Sequence, residues 1–490
     1  MNAPFSMARP NLRLVPAALG LSTALVFSSC ALGPDYRRPE VAQPAAFKGI
    51  RSPESAVPQV GRTWWTLFND SELTALMEKT VAANLDIQAA MARVEQAHAL
   101  VTVSGGALFP SVDAGATARR ARSSSSSGSL STIDGGTGTT HVTPAGRITN
   151  VFSLPLSLSY EIDLWGRLRR QLEASQNSAW ASEDDLEFVR QTALASVAQG
   201  VFNIRYYDTQ QDVLERTIEL YRKQIELTQS KVRAGLALQT DLLQARTQLD
   251  AATAQMIDVR RAREKQEHAI AVLLGQAPEA FSMPRRPLTL SVPALPVGAP
   301  ATLLRQRPDV ARAERNLAAA NAQIGVAEAA FLPTFSLTGS AGYQSTQLDG
   351  LTSWSNRVWS IGPSVSLPLF RGGELRGTLQ QRRAAYQELV ATYRSAVLGA
   401  YRDVEDQLTD LHLLADKADV LNATLVSARE NARLTEIQYR QGIVPYLQVI
   451  TANQTLLNDE LASAQALNQR LTASVLLIKA IGGGWTDPRG

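Results

Sequence analysis

The sequence is poor in the residues that build metal centres and cross-linked domains. Cys30 is the only cysteine among 490 residues, and aromatic residues make up only 6% of the chain. A single cysteine excludes a disulfide scaffold and any cysteine-ligated zinc or iron–sulfur site. The four histidines form no i,i+4 pair and no HExxH motif; they are His98, His141, His268 and His412. We therefore expect no metal site, no cofactor and no enzymatic activity.

Long apolar runs and an excess of one charge are also missing. A mean hydropathy of −0.10 excludes a polytopic helical membrane protein, because each membrane span needs about 20 mostly apolar residues. The chain carries 48 Lys and Arg against 45 Asp and Glu, with no block of basic residues. Such a balance argues against nucleic-acid binding.

The N-terminal residues have the layout of a secretory signal peptide. Arg9 and Arg13 precede an uncharged apolar stretch, and two serines stand directly before Cys30. This pattern predicts a lipoprotein signal peptide over residues 1–29, with lipid attached to Cys30 and the outer membrane as destination. The alternative is an uncleaved membrane anchor. The proline-rich residues that follow predict a lipid-anchored strap over 30–70.

Sequence motifs in the first half of the chain recur in the second half at a fixed spacing. Arg233 and Gly235 recur 207 residues later as Arg440 and Gly442. A second pair of motifs repeats at the same offset, Gly166-Arg-Leu-Arg169 and Gly373-Glu-Leu-Arg376. Two anchors that share one offset indicate a tandem duplication.

Further upstream the offset is 223 residues, between Ala107-Leu-Phe-Pro110 and Ala330-Phe-Leu-Pro333. A Ser/Gly/Thr-rich loop over 123–143 in the first copy absorbs the difference. The predicted organisation is a first repeat over 71–274, a linker or equatorial segment over 275–307, a second repeat over 308–481 and a tail over 482–490.

Each repeat opens with a helix and closes with a helical hairpin. The opening helices, Ser71–Leu108 and Pro308–Phe331, have apolar residues at helical spacing and end before a proline. The long helices, Leu168–Arg233 and Leu375–Arg440, would each run to roughly 100 Å, which is too long for a globular domain. Return helices end near Leu274 and Ile481.

A heptad seam follows both long helices. In the first copy it contains Leu214, Ile218, Tyr221, Ile225, Thr228 and Val232. In the second copy the same register contains Leu421, Leu425, Ala428, Ala432, Thr435 and Tyr439.

Between the opening helix and the hairpin, apolar and polar residues alternate. The windows are 111–119, 153–162, 334–343 and 359–369. Segments of about 10 residues with this alternation are typical of transmembrane β-strands, which turn one face to lipid and the other to a polar lumen. A soluble antiparallel sheet shows the same alternation, but the repeats offer no further apolar strand for a second layer.

Four strands cannot close a barrel in lipid, and open edges would leave backbone groups without hydrogen bonds in hydrocarbon. The chains must therefore associate, and three copies would supply twelve strands. The predicted fold class is mainly α with membrane β: a tandem-duplicated unit forming a trimeric 12-stranded β-barrel, four strands per chain, continued by a long periplasmic α-helical barrel.

Several motifs resemble those of the TolC-like outer-membrane efflux protein family, in its lipoprotein (NodT-type) branch. They are residues 30–39 (CALGPDYRRP), Trp64 and Trp65 with Phe68 and Asp70, residues 160–167 (YEIDLWGR), Arg307-Pro-Asp-Val310 and the Ile481-Gly-Gly-Gly-Trp485 tail. The resemblance covers essentially the whole mature chain. It implies a passive homotrimeric conduit in the outer membrane that extends through the periplasm and docks onto a periplasmic adaptor and an inner-membrane pump.

The resemblance also implies roles for the hairpin ends. The adaptor-docking positions are Arg233, Gly235, Leu236, Arg440, Gly442 and Ile443. The glycines would serve as helix caps in any case. Asp241 and Tyr439 match a family pair whose hydrogen bond holds the pore shut. The family's constricting aspartate ring falls on Gln448 and Thr451, neither of which is acidic.

Asp403, Asp406 and Asp410 lie on one face of the second long helix, at i, i+3 and i+7. Such a stripe would suit a water-filled lumen, and a solvated outer face is the alternative. The leading function is an export channel for small molecules. The competing functions are a periplasmic scaffold or adaptor lipoprotein without a pore and a cell-wall hydrolase.

Overall fold

The computed structural model describes residues 31–42, 44, 46–48, 61–122, 131–133, 140–142, 148–295 and 306–489. The predicted signal peptide and Cys30 lie outside this part of the chain. The helices are α1 (Ser71–Ala83), α2 (Leu85–Gly106), α3 (Arg167–Arg233), α4 (Gln239–Leu273), α5 (Pro308–Ala329), α6 (Glu374–Arg440) and α7 (Tyr446–Ala480). The strands are β1 (Ser111–Ala114), β2 (Thr117–Arg122), β3 (Ser131–Ile133), β4 (Thr140–Val142), β5 (Ile148–Ile162), β6 (Thr334–Ser345) and β7 (Arg357–Ser366).

The chain divides into two compact units, and neither of them coincides with a sequence repeat. The first combines Met1–Arg37, His98–Asn177 and Ala318–Glu388 and holds the sheet of β1, β2, β5, β6 and β7. The second combines Arg38–Ala97, Ser178–Leu317 and Leu389–Gly490 and holds the ends of the helical hairpins. Each unit therefore draws on both repeats.

The predicted long helices and their return helices are confirmed. Both α3 and α6 have 67 residues, both α4 and α7 have 35, and each pair is separated by 207 positions. The heptad seam is buried where the hairpins pack. Buried seam residues are Leu214, Ile218, Tyr221, Thr228, Ala428, Ala432, Thr435 and Tyr439.

The predicted helix over 71–108 is wrong as a single element, because Asn84 divides it into α1 and α2. The Asn84 side chain accepts a hydrogen bond from the Ile87 N–H at 3.0 Å and so caps the start of α2. Its amide group also donates to the Leu273 carbonyl at 2.7 Å. In the second repeat, the counterpart of α2 is α5; both have 22 residues.

A polar side chain joins the opening helix to the end of the return helix in both repeats. In the first, Asn84 contacts the last residue of α4. In the second, the buried Arg307 donates to the carbonyl of Ala480, the last residue of α7, at 3.2 Å. Asn84 and Arg307 are 223 positions apart, the upstream offset of the duplication, so both repeats keep this contact with different side chains.

The sheet is antiparallel, in the order β1 or β2, β5, β6, β7. All four predicted strand windows form strands, but their limits differ. The first window is interrupted after β1, where the Gly115 N–H donates to the Pro155 carbonyl at 2.9 Å. β5 begins five residues before the window, at Ile148, and β7 ends at Ser366, two residues before Pro368, which has no N–H for a ladder. The β3–β4 hairpin lies in a segment predicted to be a loop.

The sheet has one apolar and one hydroxyl-rich face, because directly paired residues point to the same side. The apolar face carries Leu154, Leu156, Leu158, Tyr160 and Ile162 from β5, Phe335 and Leu337 from β6, and Trp359, Ile361 and Val365 from β7. On the other face, serines pair across β6 and β7: Ser336 with Ser364 at 2.7 Å and Ser340 with Ser360 at 3.1 Å. Among the described residues, β7 and the β1–β2 side each pair along one edge only.

The junction between β5 and α3 explains the motif over 160–167. The Asp163 carboxylate accepts the Leu168 and Arg169 N–H groups at 3.1 and 3.0 Å, which satisfies the free end of α3. The N-terminal strap docks here, since the Leu32 N–H donates to the Trp165 carbonyl at 3.0 Å. Arg170 holds the strap further, through an ion pair with Asp35 at 3.0 Å.

Aromatic residues of the 61–70 segment pack into the core of the second unit. Trp64, Trp65 and Phe68 are buried, and Phe68 lies against Phe202 of α3, with ring centroids 5.1 Å apart. Arg205 pairs with Asp70 beside them. Burial pushes the pKa of Asp70 up, but hydrogen bonds from Arg205 and the Leu73 N–H outweigh it, so that the net pKa is lowered.

Within the described ranges, every helix is too short or too polar to cross a membrane.

Candidate functional site

The two hairpin ends have the same backbone geometry. Gly235 and Gly442 follow the last residues of α3 and α6 with φ of +73° and +77°, a left-handed conformation that glycine adopts without a steric penalty. The Leu236 N–H donates to the Lys231 carbonyl at 2.8 Å, and the Ile443 N–H donates to the Gln438 carbonyl at 2.9 Å. These bonds form a Schellman motif at each tip.

Both tips present an apolar side chain next to an arginine. Leu236 is 78% exposed and Ile443 is 66% exposed. Arg440 pairs with Glu436 of its own helix at 3.0 Å, whereas Arg233 has no ion pair among the described residues and contacts the Ser230 hydroxyl at 3.3 Å. The first tip therefore carries the less neutralised positive charge.

The two hairpins meet at a pair of tyrosines close to the tips. Tyr439 of α6 and Tyr446 of α7 lie with ring centroids 5.3 Å apart. Lys231 of α3 lies 3.9 Å from the centroid of the Tyr439 ring and donates to the Tyr439 carbonyl at 3.2 Å. Burial raises the pKa of both tyrosines, so both remain neutral at physiological pH. The hairpins are thus joined through a cation and a neutral ring.

The predicted hydrogen bond between Asp241 and Tyr439 is absent from this structure. Asp241 instead accepts the Leu238 N–H at 3.3 Å, at the start of α4. The Tyr439 hydroxyl is buried and has no hydrogen-bond partner among the described residues. A first-turn carboxylate is drawn to the free N–H groups of its own helix, which accounts for the difference.

Gln448 and Thr451 lie on the exposed side of α7, one helical turn apart. The Thr451 hydroxyl donates to the Leu447 carbonyl at 3.0 Å. Neither residue carries charge, and the exposed Leu447 lies beside them, so this side of α7 presents an amide, a hydroxyl and an apolar side chain.

A groove of about 490 Å³ runs between α3 and α6 beside the tips. Its charged lining residues are Lys223, Lys231, Glu436 and Arg440. Sequence reasoning missed the roles of Lys231 and Tyr446. The spacing of Tyr439 and Tyr446, on either side of the turn, was the available signal.

The three aspartates of the predicted stripe make different contacts. Asp403 is not a free carboxylate, because it pairs with the buried Arg307 at 3.1 Å and with Arg402 at 2.9 Å. Asp406 and Asp410 are exposed. Asp410 lines a cavity of about 380 Å³ that also contains Asn203, Gln407 and Asn468. Asp406 also pairs with Arg402, at 3.9 Å. The lumen stripe stays a prediction, and Asp403 in addition belongs to the contact that ends the second repeat.

Among the residues that the structure describes, no group of His, Cys, Asp and Glu side chains could hold a metal ion.

The sequence profile of the outer membrane efflux protein family matches residues 76–276 and 299–483. The toluene efflux pump outer membrane protein TtgI of Pseudomonas putida is 30% identical over 488 residues, covering 96% of this chain and 98% of the relative. The pyoverdine export outer membrane protein OpmQ of Pseudomonas aeruginosa is 30% identical over 484 residues, with coverage of 99% and 98%.

Solved channels share the fold. The outer-membrane channel OprN superposes with a TM-score of 0.83 at 31% identity, covering 93% of this chain and all of that chain. The open state of the Neisseria gonorrhoeae MtrE outer membrane channel gives 0.79 at 28% identity, with coverage of 93% and 98%. The chain belongs to the outer membrane efflux protein family.

Proposed function

We propose that three copies of this chain form a passive channel in the outer membrane, the exit duct of a tripartite efflux system. The main evidence is the sheet, in which β1 and β2 share one edge position and β5, β6 and β7 take one position each, four in all. This sheet is apolar on one face and hydroxyl-rich on the other, and its outer edges have no strand partner among the described residues. Closing twelve strands would pair every edge and turn the hydroxyl-rich face to the lumen.

The second long helix supports association between chains. Leu398, Leu413 and Val420 are 59%, 58% and 66% exposed. Their spacing of 15 and 7 residues places them on one side of α6. We assign this side to contact with the next copy, in an α-helical barrel that continues the β-barrel into the periplasm.

The N-terminal strap supports a lipid anchor at Cys30. Leu32, two residues later, is bound to Trp165 directly after β5 ends. An acyl chain on Cys30 would therefore start at the edge of the apolar face, where it could enter the same membrane.

The hairpin tips are the proposed docking positions for a periplasmic adaptor, which in turn binds an inner-membrane pump. Each tip offers an exposed apolar side chain, Leu236 or Ile443, for burial in a partner. The named cargoes of the relatives range from toluene to pyoverdine. We therefore assign export of small molecules rather than a single cargo class. The comparisons do not favour a scaffold without a pore.

We assign closure of the tip to Lys231 and Tyr439 rather than to Asp241. Opening must separate the hairpin of α3 from that of α6, which breaks the contact between the Lys231 ammonium and the Tyr439 ring. A partly buried cation–π contact contributes about 1 kcal/mol, equivalent to about a fivefold change in the open-to-closed ratio.

Single-channel recording in planar bilayers tests both the channel and its closure. Lys231→Met should raise the open probability about fivefold. Lys223→Met is the matched control, because Lys223 lines the same groove but pairs with Glu219 of its own helix at 3.5 Å. Equal currents from both variants would contradict the closure, and no current from any protein would contradict the channel.

A further inference from the structure

Three arginines lie at one end of the apolar face of the sheet. Arg120 of β2 pairs with Asn150, and Arg122 pairs with Ile148. Both therefore share the face of Phe152 and Leu154. Arg357 opens β7 and pairs with Tyr343 on the same face. All three are exposed, and none forms an ion pair with another described residue.

The position of these arginines relative to the apolar face matches a membrane boundary. The apolar run on β5 extends from Ile162 to Phe152, ten residue steps, or about 33 Å along the strand. At a tilt of about 40° this corresponds to a height of about 25 Å, the apolar band of outer-membrane barrels. In the register, Arg120 is opposite Asn150, two residues beyond the band, whereas Arg357 is level with Leu154, two residues inside its edge. Near the boundary a charge on the lipid face costs little.

The surroundings of Arg357 also indicate an interface. Its guanidinium lies 3.9 Å from the centroid of the Trp354 ring, and Trp354 is 74% exposed. Exposed tryptophan is typical of the girdles that flank the lipid-facing band.

The direction of the strands selects one leaflet. β5 runs away from the arginines and reaches α3 within five residues, and β6 runs from α5 towards them. The arginine end is thus the end of the sheet remote from the helices. With the helices in the periplasm, as in the proposed function, this end lies in the outer leaflet.

Assembly would bring the arginines together. Twelve-strand closure pairs the free edge of β7 with the β1–β2 edge of the next copy, so Arg357 of one chain and Arg120 and Arg122 of the next share a seam. Like charges on neighbouring strands repel one another. An anion at the seam would remove the repulsion, and arginine forks bind phosphate with two parallel hydrogen bonds.

We propose that Arg120, Arg122 and Arg357 form a binding site for the phosphate groups of the outer-leaflet lipid, lipid A, at each junction between chains. The apolar face below the site would hold the acyl chains, and the guanidinium groups would hold the sugar phosphates. This inference rests on the proposed trimeric barrel, because one chain supplies only part of each site.

The test compares two lipids on delipidated wild-type protein in mild detergent. Native mass spectrometry would measure retention of lipid A with its phosphates and of lipid A from which they have been removed. A basic residue at an anionic surface changes affinity about fivefold. Three arginines predict a preference on the order of one hundredfold for the phosphorylated lipid. Equal retention of the two lipids would overturn the site without any variant.

A triple variant then locates the site. Arg120→Gln, Arg122→Gln and Arg357→Gln together should abolish the preference for the phosphorylated lipid. Arg119→Gln should keep it, because Arg119 lies on the same strand but on the hydroxyl-rich face, opposite Val151. A preference that survives the triple variant, or is lost equally in the control, contradicts the proposal.

Conductance of the same preparations separates the two proposals. A conducting wild-type trimer that retains both lipids equally defeats the lipid site alone. A wild-type protein that neither trimerises nor conducts defeats the proposed function.

Discussion

The two repeats have the same long helices but different surroundings. Val213 of α3 is 4% exposed, whereas its counterpart Val420 of α6 is 66% exposed. Gln191 of α3 is likewise 5% exposed, whereas its counterpart Leu398 is 59% exposed. Duplication copied the backbone, but different described segments cover the two copies: the 61–70 segment and the linker pack on the first, and the strap reaches the second through Phe47, which lies against Tyr401. Apolar side chains on the second copy are therefore available to another chain.

Different elements cover different stretches of α3, and Val213 packs with Met256 of α4 and Leu457 of α7. Trp64, Trp65 and Phe68 pack on Leu194 and Phe202 in one cluster of buried residues. The linker adds Met283 and Leu288 to this cluster. The 61–70 segment and the linker thus bury the surface of α3 around Leu194 and Phe202.

Replacing each of the two matched valines by aspartate should separate the effect on protomer stability from the effect on trimer formation. We expect these substitutions to have the largest effects of all. Val213→Asp buries a carboxylate without a partner and should cost more than about 3 kcal/mol, enough to unfold the protomer. Val420→Asp should leave the protomer within about 0.5 kcal/mol of wild type but abolish the trimer. Circular dichroism and particle mass measure the two effects. Loss of the fold in both variants would contradict the comparison.

The contacts that end each repeat should differ in strength. Arg307→Ala leaves Asp309 without its ion pair of 2.7 Å in a buried setting and should cost about 3–5 kcal/mol. Asn84→Ala removes a helix cap and one neutral hydrogen bond and should cost about 2 kcal/mol. Urea unfolding of both variants measures which one loses more free energy of unfolding. A larger loss for Asn84→Ala than for Arg307→Ala would show that the charge of Arg307 contributes little to stability.

Asp184 of the first repeat should make the folding stability depend on pH. Its counterpart in the second repeat, Ala391, has no titratable group. Asp184 is 1% exposed and contacts Arg489, with Glu183, Asp487 and Arg315 nearby. Burial raises the pKa of Asp184 from 3.8 to about 6. The folded protein therefore holds this proton at pH values where the unfolded chain has lost it, and this contribution to stability is lost as pH rises towards 6.

The expected size of this effect is about 3 kcal/mol, the equivalent of a pKa change from 3.8 to about 6. Wild type should lose up to that amount relative to Asp184→Asn between pH 4 and pH 7. Urea unfolding of both proteins across this range measures the difference. A constant difference, or one that grows in favour of wild type, would contradict the assignment.

The sequence was sufficient for the elements that depend on local periodicity. The long helices and both tips follow from uninterrupted helical spacing and from Gly235 and Gly442, which is why their predicted ends agree with the structure within a residue. The strand windows follow from alternation. Their limits were less accurate, because a ladder can extend past the alternating run, as at Ile148, or stop before a proline, as at Ser366.

Contacts between distant segments could not be predicted in the same way. Asn84 reads as an ordinary residue inside a helical pattern, and the structure explains the break through its cap on the Ile87 N–H and its hydrogen bond to the Leu273 carbonyl. The Asp241–Tyr439 expectation came from resemblance, and within this chain the carboxylate caps its own helix instead. Asp403 was placed on a polar stripe, but its pairing with Arg307 depends on a segment 96 positions away.

We propose that two further copies complete the open sheet that one chain supplies. The particle mass of the mature protein in mild detergent, with heat-denatured protein as the monomer reference, tests it most directly. We expect a stable species of three times the monomer mass. A monodisperse monomer would contradict it.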